Sequence, residues 1–157
     1  MAVYLALGLL VAAVAFAAYV RLAPSDPARW HVDPLALWPA GEARTLSPLG
    51  AERAVVTREN LAAAWIEVQG PQAAALARLD EIALATARTT RLAGSPEEGR
   101  ITWVTRSALW GFPDYTTAQA MTHDVATSEM TIVGRLRFGQ SDLGVNAARL
   151  RDWLSRL

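Results

Sequence analysis

The chain has two histidines, and they are the first residues that could perform acid–base or metal chemistry. His31 and His123 lie far apart in the sequence, so a metal site that used both would also need carboxylate ligands. His123 with Ser141 and Asp142 supplies the residue types of a hydrolytic triad. No nucleophile-elbow glycine pattern surrounds Ser141, however, and we expect Ser141 and Asp142 to cap a turn or a helix instead.

Other catalytic patterns are missing from the sequence. Residues 80–81 and 97–98 are adjacent acidic pairs, and adjacent side chains point in different directions on a helix or a strand. Residues 139–144 contain two glycines without a following Lys-Ser/Thr, which excludes a P-loop. The absence of cysteine excludes disulfides, thiolate catalysis and cysteine-bound zinc or iron–sulfur clusters. We therefore predict no catalytic residue, no metal ligand and no cofactor, and a protein that is not an enzyme.

Three arginines are the strongest candidates for a binding site. Arg135 and Arg137 share one face of a predicted strand, about 7 Å apart, and Arg106 can join them from a neighbouring strand. Guanidinium groups gathered on a sheet can bind an anion or the carboxylates of a partner. The alternative is internal cross-strand ion pairing that fixes the strand register. The acidic candidates for that pairing are Glu67, Asp114 and Asp142.

Aromatic side chains offer candidate docking positions, and the chain has six tryptophans. Trp30 and Trp38 lie in a proline-rich segment, where they either pack on the domain or lie on the membrane surface or a partner protein. Trp110, Phe112 and Tyr115 fall at a Gly-Phe-Pro turn, where they either close the end of the sheet or form an exposed patch. Because tryptophan is common among interface anchors, we expect at least one of the six tryptophans to make an intermolecular contact.

The N-terminal segment is apolar enough to cross a membrane. Residues 2–20 contain no charge and no proline, and 19 helical residues span about 28 Å, close to the hydrocarbon thickness of a bilayer. We predict an uncleaved transmembrane anchor over residues 1–21. A cleaved signal peptide is the alternative, but the run is long for a signal core and has no basic residue before it. Small residues would permit close approach of neighbouring helices: Ala6, Gly8, Ala12, Ala13 and Ala17.

Composition and patterning predict the rest of the architecture. The formal net charge is zero, which argues against a nucleic-acid partner. Residues 22–50 contain five prolines and are predicted to form an irregular connecting segment before a domain over residues 51–157. Strand patterns occur at 55–57, 64–69, 86–92, 101–107, 115–121 and 130–138, and helical patterns at 71–85 and 146–156. The predicted fold is α+β: one N-terminal transmembrane helix, then an antiparallel sheet of about four to six strands with two main helices packed on it.

Three motifs occur together in this chain: RTTRLAGS at residues 88–95, GFPDY at 111–115 and RLRFGQSDLGVN at 135–146. Residues 22–157 thereby resemble domain-of-unknown-function family 1499, and the chain is similar to a membrane-anchored alphaproteobacterial member. The resemblance implies a small domain behind a signal or an anchor, with no established activity and no catalytic residues. Plastid relatives are associated with the thylakoid lumen, which implies a periplasmic domain here. Arg21 and Arg29, beside the helix, weakly favour the cytoplasmic side instead.

Two functions from different classes follow from these features. The first is a non-enzymatic accessory subunit, or an assembly or stability factor, of a larger complex in the bacterial inner membrane, such as an energy-converting complex. Its partners would be the lipid bilayer and other membrane-protein subunits. The alternative is a membrane-tethered domain that binds an apolar or anionic small molecule, with Arg106, Arg135 and Arg137 as anion contacts. That alternative requires a pocket of roughly 300 Å³ or more that is apolar and has convergent arginines.

Overall fold

The computed structural model describes residues 1–38, 42–49, 54–58, 60–124 and 126–157. Its α-helices are α1 (Ala2–Leu22), α2 (Pro27–Trp30), α3 (Gln72–Leu84) and α4 (Val145–Arg156), with a short 3-10 helix at Pro34–Leu37. Its strands are β1 (Ser47–Pro48), β2 (Val55–Arg58), β3 (Leu61–Gln69), β4 (Thr89–Ser95), β5 (Arg100–Arg106), β6 (Pro113–Thr122) and β7 (Thr127–Leu136). Every segment predicted as a strand or helix overlaps one of these elements, and the α+β class is confirmed.

The seven strands form one sheet in the order β1-β3-β7-β6-β5-β4, and β2 pairs with β3 as an antiparallel hairpin. Strands β4 to β7 form an antiparallel meander. The last of them, β7, pairs with the earlier strand β3 along the whole length of β3. The sheet is mixed rather than wholly antiparallel because β1 runs parallel to β3. A strand of two residues, one of them proline, is too short to show an alternating pattern, so the sequence did not predict it.

Strand β4 begins three residues later than its pattern suggested. Residues 85–88 continue from α3 as a turn, because the Thr86 hydroxyl donates to the carbonyl oxygen of Ile82 at 3.0 Å and accepts from the indole nitrogen of Trp153 at 2.9 Å. The turn after β4 then falls at residues 96–99. Gly94, which lies beyond the predicted strand 86–92, falls inside β4, next to a shift in the β4–β5 register.

One face of the sheet is covered by α3 and α4, whose apolar positions recur at helical spacing. The buried apolar side chains from the two helices include Leu76, Leu79, Ala83, Leu150, Trp153 and Leu154. Trp103 of β5 meets Trp153 edge to face, with ring centroids 5.5 Å apart. Its indole nitrogen donates to the buried carboxylate of Asp80 at 2.7 Å, and Arg91 pairs with the same carboxylate. This face therefore contains a closed hydrophobic core in which the buried carboxylate of Asp80 is paired with Trp103 and Arg91.

The opposite face is covered by residues 24–38, which we call the connector. The indole of Trp30 stacks on the ring of Tyr115, with centroids 3.8 Å apart and planes 8° from parallel. Trp38 packs edge to face on Trp65 at 4.8 Å, and the Ser25 and Tyr115 hydroxyls are 2.8 Å apart. Of the two alternatives for Trp30 and Trp38, the structure therefore shows packing on the domain.

Among the helices in the described part of the chain, only α1 is long enough and apolar enough to cross a membrane. Those two properties fit a membrane anchor and also a signal sequence. Nearly all of its side chains are exposed, whereas Val20, near its C-terminal end, is fully buried against the domain. The domain is thus attached to the last turns of α1 by direct contact as well as by the chain.

Candidate functional site

Five aromatic rings join the end of α1 to the domain, and we call them the aromatic cluster: Phe16, Tyr19, Trp110, Phe112 and Phe138. Phe16 meets Trp110 and Phe112 edge to face, with centroids 6.4 and 6.1 Å apart. Tyr19 packs in the same way on Phe138 at 6.2 Å. Edge-to-face geometry is favourable for aromatic pairs, so the cluster fixes the helix against one end of the sheet.

The β5–β6 loop, residues 107–112, supplies two rings of the cluster and is braced from α1. The Arg21 guanidinium donates to the carbonyl oxygen of Leu109 at 2.8 Å. Gly111 has a φ of 75°, and a Cβ there would lie 2.9 Å from Cγ of Arg21. Glycine therefore suits position 111 for two reasons, its left-handed backbone and the close approach of the arginine.

A cavity of about 550 Å³ lies beside the cluster, at the same end of the sheet. Its lining combines apolar side chains from α1, β7, the β5–β6 loop and the β7–α4 loop (residues 137–144) with a few polar ones. Among the polar groups, Asp114 is bound by the Arg149 guanidinium at 3.2 Å. Burial raises the pKa of Asp114 above its ordinary value, and Arg149 opposes that shift. The cavity therefore has an apolar wall and two acidic groups: Asp114, which is paired with Arg149, and Asp142, which accepts from main-chain amides.

The three arginines singled out in the sequence donate to main-chain carbonyl oxygens. Arg106 binds the carbonyl of Gly111 at 3.0 Å, and Arg135 binds that of Trp30 at 2.8 Å. Arg137 binds the carbonyl of Pro24 at 2.8 Å and the Tyr115 hydroxyl at 3.2 Å. Within the described residues, the ion pair expected for Asp114 is made by Arg149 instead. Arg135 and Arg137 thus hold the connector on the sheet, and Arg106 holds the β5–β6 loop.

Arg135 is the most enclosed of the three. Its guanidinium lies over the Trp30 ring, 5.0 Å from the centroid, on a chain segment that also stacks on Tyr115. Burial lowers the pKa of Arg135, and the nearby charge of Arg29 lowers it further. Its buried Nε has no hydrogen-bond partner among the described atoms. The side chain is therefore part of a packed stack and is covered by the connector.

The candidate docking aromatics separate into buried and exposed members. Trp30, Trp38 and Tyr115 are buried between the connector and the sheet, and Phe112 is half-buried in the aromatic cluster. Trp110 remains 38% exposed at the tip of its loop. Trp110 is therefore the candidate that a partner or a membrane can reach in this structure.

The residue types of a hydrolytic triad do not come together. His123 lies in the β6–β7 turn and Ser141 follows the other end of the ten-residue strand β7, so on the order of 30 Å separates them. The Ser141 hydroxyl accepts from the amide of Leu143, and Asp142 accepts from the amides of Gly144 and Asn146. These bonds are the capping role expected for the pair. No group of three or more potential metal ligands occurs in the described part of the chain.

His31 packs on the second face of the sheet, where its Nδ1 lies 2.9 Å from the Thr102 hydroxyl. Burial, and next the charge of Arg100, lower the pKa of His31 below its ordinary 6.5, while Glu98 acts in the opposite sense. The folded chain therefore binds this proton less tightly than the unfolded chain. The stability that depends on neutral His31 is fully present above about pH 6.5 and is lost as the pH falls through that value.

We expect the urea midpoint of the detergent-solubilised protein to fall between about pH 7.5 and 5.5, and to fall less in His31→Gln. Glutamine keeps a hydrogen-bonding group for Thr102 but cannot take up the proton. The control is His123→Gln, which replaces the exposed histidine at the far turn. Equal pH slopes in the wild type and in His31→Gln would contradict the prediction.

Several residues of this site were not singled out from the sequence. Phe16, Tyr19 and Phe138 complete the aromatic cluster, and Arg149 pairs with Asp114. Aromatic residues inside an apolar run look like ordinary lipid-facing side chains, so spacing gives no sign of these contacts. The Arg21 that ends the run was visible, but its bond to a loop carbonyl joins residues 88 positions apart.

The fold and the site define a class of protein: a small α+β domain, closed by helices on one sheet face and by its own N-terminal connector on the other, held to the end of an apolar helix. The chain belongs to a family of proteins of unknown function, DUF1499, whose model matches residues 39–157. This confirms the family resemblance that the three motifs indicated. The connector precedes the matched region. No curated protein and no solved structure matches the chain.

Proposed function

We propose that this protein is a non-enzymatic, single-pass membrane protein that acts as an accessory subunit, or an assembly or stability factor, of a larger complex in the bacterial inner membrane. We propose an energy-converting complex as the partner. The domain lies on the periplasmic side in this proposal. The single observation that carries it is the direct attachment of the domain to α1.

That attachment goes beyond what a simple tether requires. A tether needs a membrane helix and a flexible linker, which leaves the domain free to rotate. Here the aromatic cluster, the bond from Arg21 to Leu109 and the buried Val20 hold the domain in one position. Such a geometry is useful when a partner contacts both the helix and the domain at once, because both surfaces are then presented together.

The small residues of α1 lie on two sides of the helix. Ala13 and Ala17 are half-buried on the side that faces the domain. Gly8 and Ala12, one turn apart, are exposed, and a Cβ at Gly8 would meet nothing within 4 Å. A small-xxx-small pair on an open side lets a neighbouring membrane helix approach closely. This pair supports the proposal as the helix contact to a partner.

The test compares Ala12→Leu with Ala18→Leu, which makes the same change about 120° away around the helix. We expect wild type and Ala18→Leu, purified through a C-terminal tag in mild detergent, to run in one stoichiometric particle much larger than the 16.9 kDa chain. In Ala12→Leu, a loss of about 1.4 kcal/mol of helix packing would reduce partner recovery about tenfold. A wild-type protein that runs as a free monomer would contradict the proposal.

The side of the membrane has its own test, because the chain contains no cysteine. Glu98→Cys puts a single thiol at the exposed tip of the β4–β5 turn. We expect a membrane-impermeant maleimide, applied to cells with a permeable outer membrane, to label it as completely as it does after lysis. Labelling only after lysis would place the domain in the cytoplasm.

A second candidate function, a membrane-tethered ligand-binding domain, is favoured by the cavity of about 550 Å³ beside the aromatic cluster. Its volume exceeds the requirement stated from the sequence, and most of its lining is apolar. Arg106, Arg135 and Arg137 are not among its lining residues, so the convergent arginines required from the sequence are missing from it. An apolar ligand therefore fits the cavity better than an anionic one. Native mass spectrometry of protein extracted from membranes would show a small molecule bound to the monomer under this alternative.

A further inference from the structure

A patch of exposed apolar side chains surrounds the end of α1 on the domain. Leu109 and Leu143 are 75% and 92% exposed, although they lie at the tips of ordered loops. Val145 and Trp110 extend the patch. Phe16, Leu143 and Val145 line the same cavity, which places the β7–α4 loop next to the helix. Contiguous apolar surface of this kind in a protein with a membrane helix calls for an apolar environment.

The position of these loops along α1 gives their depth. The 21 residues of α1 span about 32 Å, so the helix fits the hydrocarbon core with Leu22 near its edge. Phe16 lies six residues before Leu22, about 9 Å further in, and its side chain tilts towards the N-terminus. Trp110 and Phe112 contact the Phe16 ring. A placement of α1 across a bilayer with Leu22 near the edge of the hydrocarbon core therefore brings the tip of the β5–β6 loop into contact with the membrane.

Much of the main chain of that loop is bonded within the protein. The Ser107 amide donates to the Phe112 carbonyl at 2.9 Å, the Phe112 amide donates to the Ser107 hydroxyl at 3.0 Å, and the Gly111 amide donates to the Ser107 carbonyl at 3.2 Å. Two arginines complete the loop: Arg106 donates to the Gly111 carbonyl and Arg21 to the Leu109 carbonyl. Backbone groups that enter a bilayer must find partners within the protein. In this loop the amides of Ser107, Gly111 and Phe112 and the carbonyls of Ser107, Leu109, Gly111 and Phe112 have them.

The backbone at Leu143 points to the same environment. Its φ of 53° is in the left-handed region, where a leucine is strained and a glycine is at ease. The Ser141 hydroxyl and the Asp142 carboxylate hold this turn by accepting from the amides of Leu143 and Gly144. The strained turn thus holds the exposed Leu143 side chain beside the aromatic cluster. This position suits an apolar contact outside the domain.

We propose that the β5–β6 loop and the β7–α4 loop form a second membrane contact, in which Leu109, Trp110 and Leu143 insert into the lipid interface beside α1. The occupant of the patch is the lipid bilayer itself. The domain then lies against the membrane surface, with the arginines 21 and 106 level with the lipid headgroups. This inference rests on the membrane anchoring in the proposed function but not on a protein partner.

Because the chain contains no cysteine, a label attached to one introduced cysteine reports on that position alone. Single cysteines at Leu109 and Leu143 are given a nitroxide label, and the full chain is reconstituted into vesicles of phosphatidylethanolamine and phosphatidylglycerol. Val11→Cys, in the middle of α1, is the lipid reference. Glu98→Cys is the aqueous control, because it lies at the opposite end of the seven-residue strand β5, about 25 Å from the loop.

We expect the ratio of relaxation by oxygen to relaxation by a water-soluble nickel chelate to be severalfold higher at 109 and 143 than at 98. It should fall between the values at 98 and at 11. Labels at 109 and 143 that match position 98 while position 11 is in lipid would overturn the inference and leave the anchor intact; the patch would then be free for a protein partner. A label at position 11 that is exposed to water would refute the membrane anchoring itself.

Discussion

Trp30→Ala should lower the free energy of unfolding of the detergent-solubilised protein by about 3–5 kcal/mol, the usual cost of removing a buried tryptophan. Trp30 is buried between the sheet and the solvent-facing side of the connector, and it takes part in three contacts at once. Its ring stacks on Tyr115 and lies under the Arg135 guanidinium, and its carbonyl accepts from the same arginine. Removal of the ring leaves a cavity and exposes a partly desolvated charge.

The measurement is urea unfolding, with Trp110→Ala as the matched control. Trp110 is also a tryptophan but is partly exposed, so its removal should cost about 1 kcal/mol in a micelle. Trp30→Phe should fall between wild type and Trp30→Ala, because it keeps an aromatic face for Tyr115 and Arg135. If Trp30→Ala unfolded within about 1 kcal/mol of wild type, the connector would not be a stable layer of the domain.

Gly94→Ala should be nearly as damaging, with an expected loss of about 3–4 kcal/mol. Gly94 has a φ of 87°, which strains any residue with a Cβ. A Cβ at this position would also lie 2.1 Å from the carbonyl oxygen of Arg100 and 2.7 Å from Cε1 of His31. The first atom belongs to the paired strand β5 and cannot move without breaking the register, so the strain and the clash add.

Gly144→Ala is the control for Gly94→Ala. Its φ of 84° is nearly the same, but a Cβ there would meet nothing within 4 Å. The backbone strain alone should cost about 1–2 kcal/mol. The difference between the two variants, read from urea unfolding, therefore isolates the steric contact. Equal losses would show that β4 can move away from β5 and would contradict the close packing described above.

Local patterns were sufficient to predict the sheet meander and the two helices that cover it. The spacing of Leu76, Leu79 and Ala83 reports directly which side of α3 is buried. Alternation in β7 indicated a strand, although the structure buries residues on both of its faces. The strand β1 and the late start of β4 were missed, because one is two residues long and the other depends on a side-chain bond of Thr86. Neither feature leaves a periodic trace in the sequence.

The second face of the sheet was harder to predict. The sequence indicated that Trp30 and Trp38 need burial or a partner, but proline-rich segments have no periodicity that shows which side they present. Arg135 and Arg137 both bind the connector, although β7 ends at Leu136 and Arg137 lies just beyond the strand. Their acceptors are main-chain carbonyls, which every residue has. Asp114 pairs with Arg149 of α4, a contact between residues 35 positions apart that no local pattern indicates.

The connector also constrains the order in which the chain can fold as it is made. Its contacts join Pro24 to Arg137 and Trp30 to Arg135, more than 100 positions apart. Contacts at such separation form late, because the intervening chain must first be present and closed into a loop. If α1 enters the bilayer as soon as it is synthesised, the connector waits at the membrane surface until β6 and β7 arrive. The last folding step of the domain then takes place against the lipid, with the membrane helix already in place.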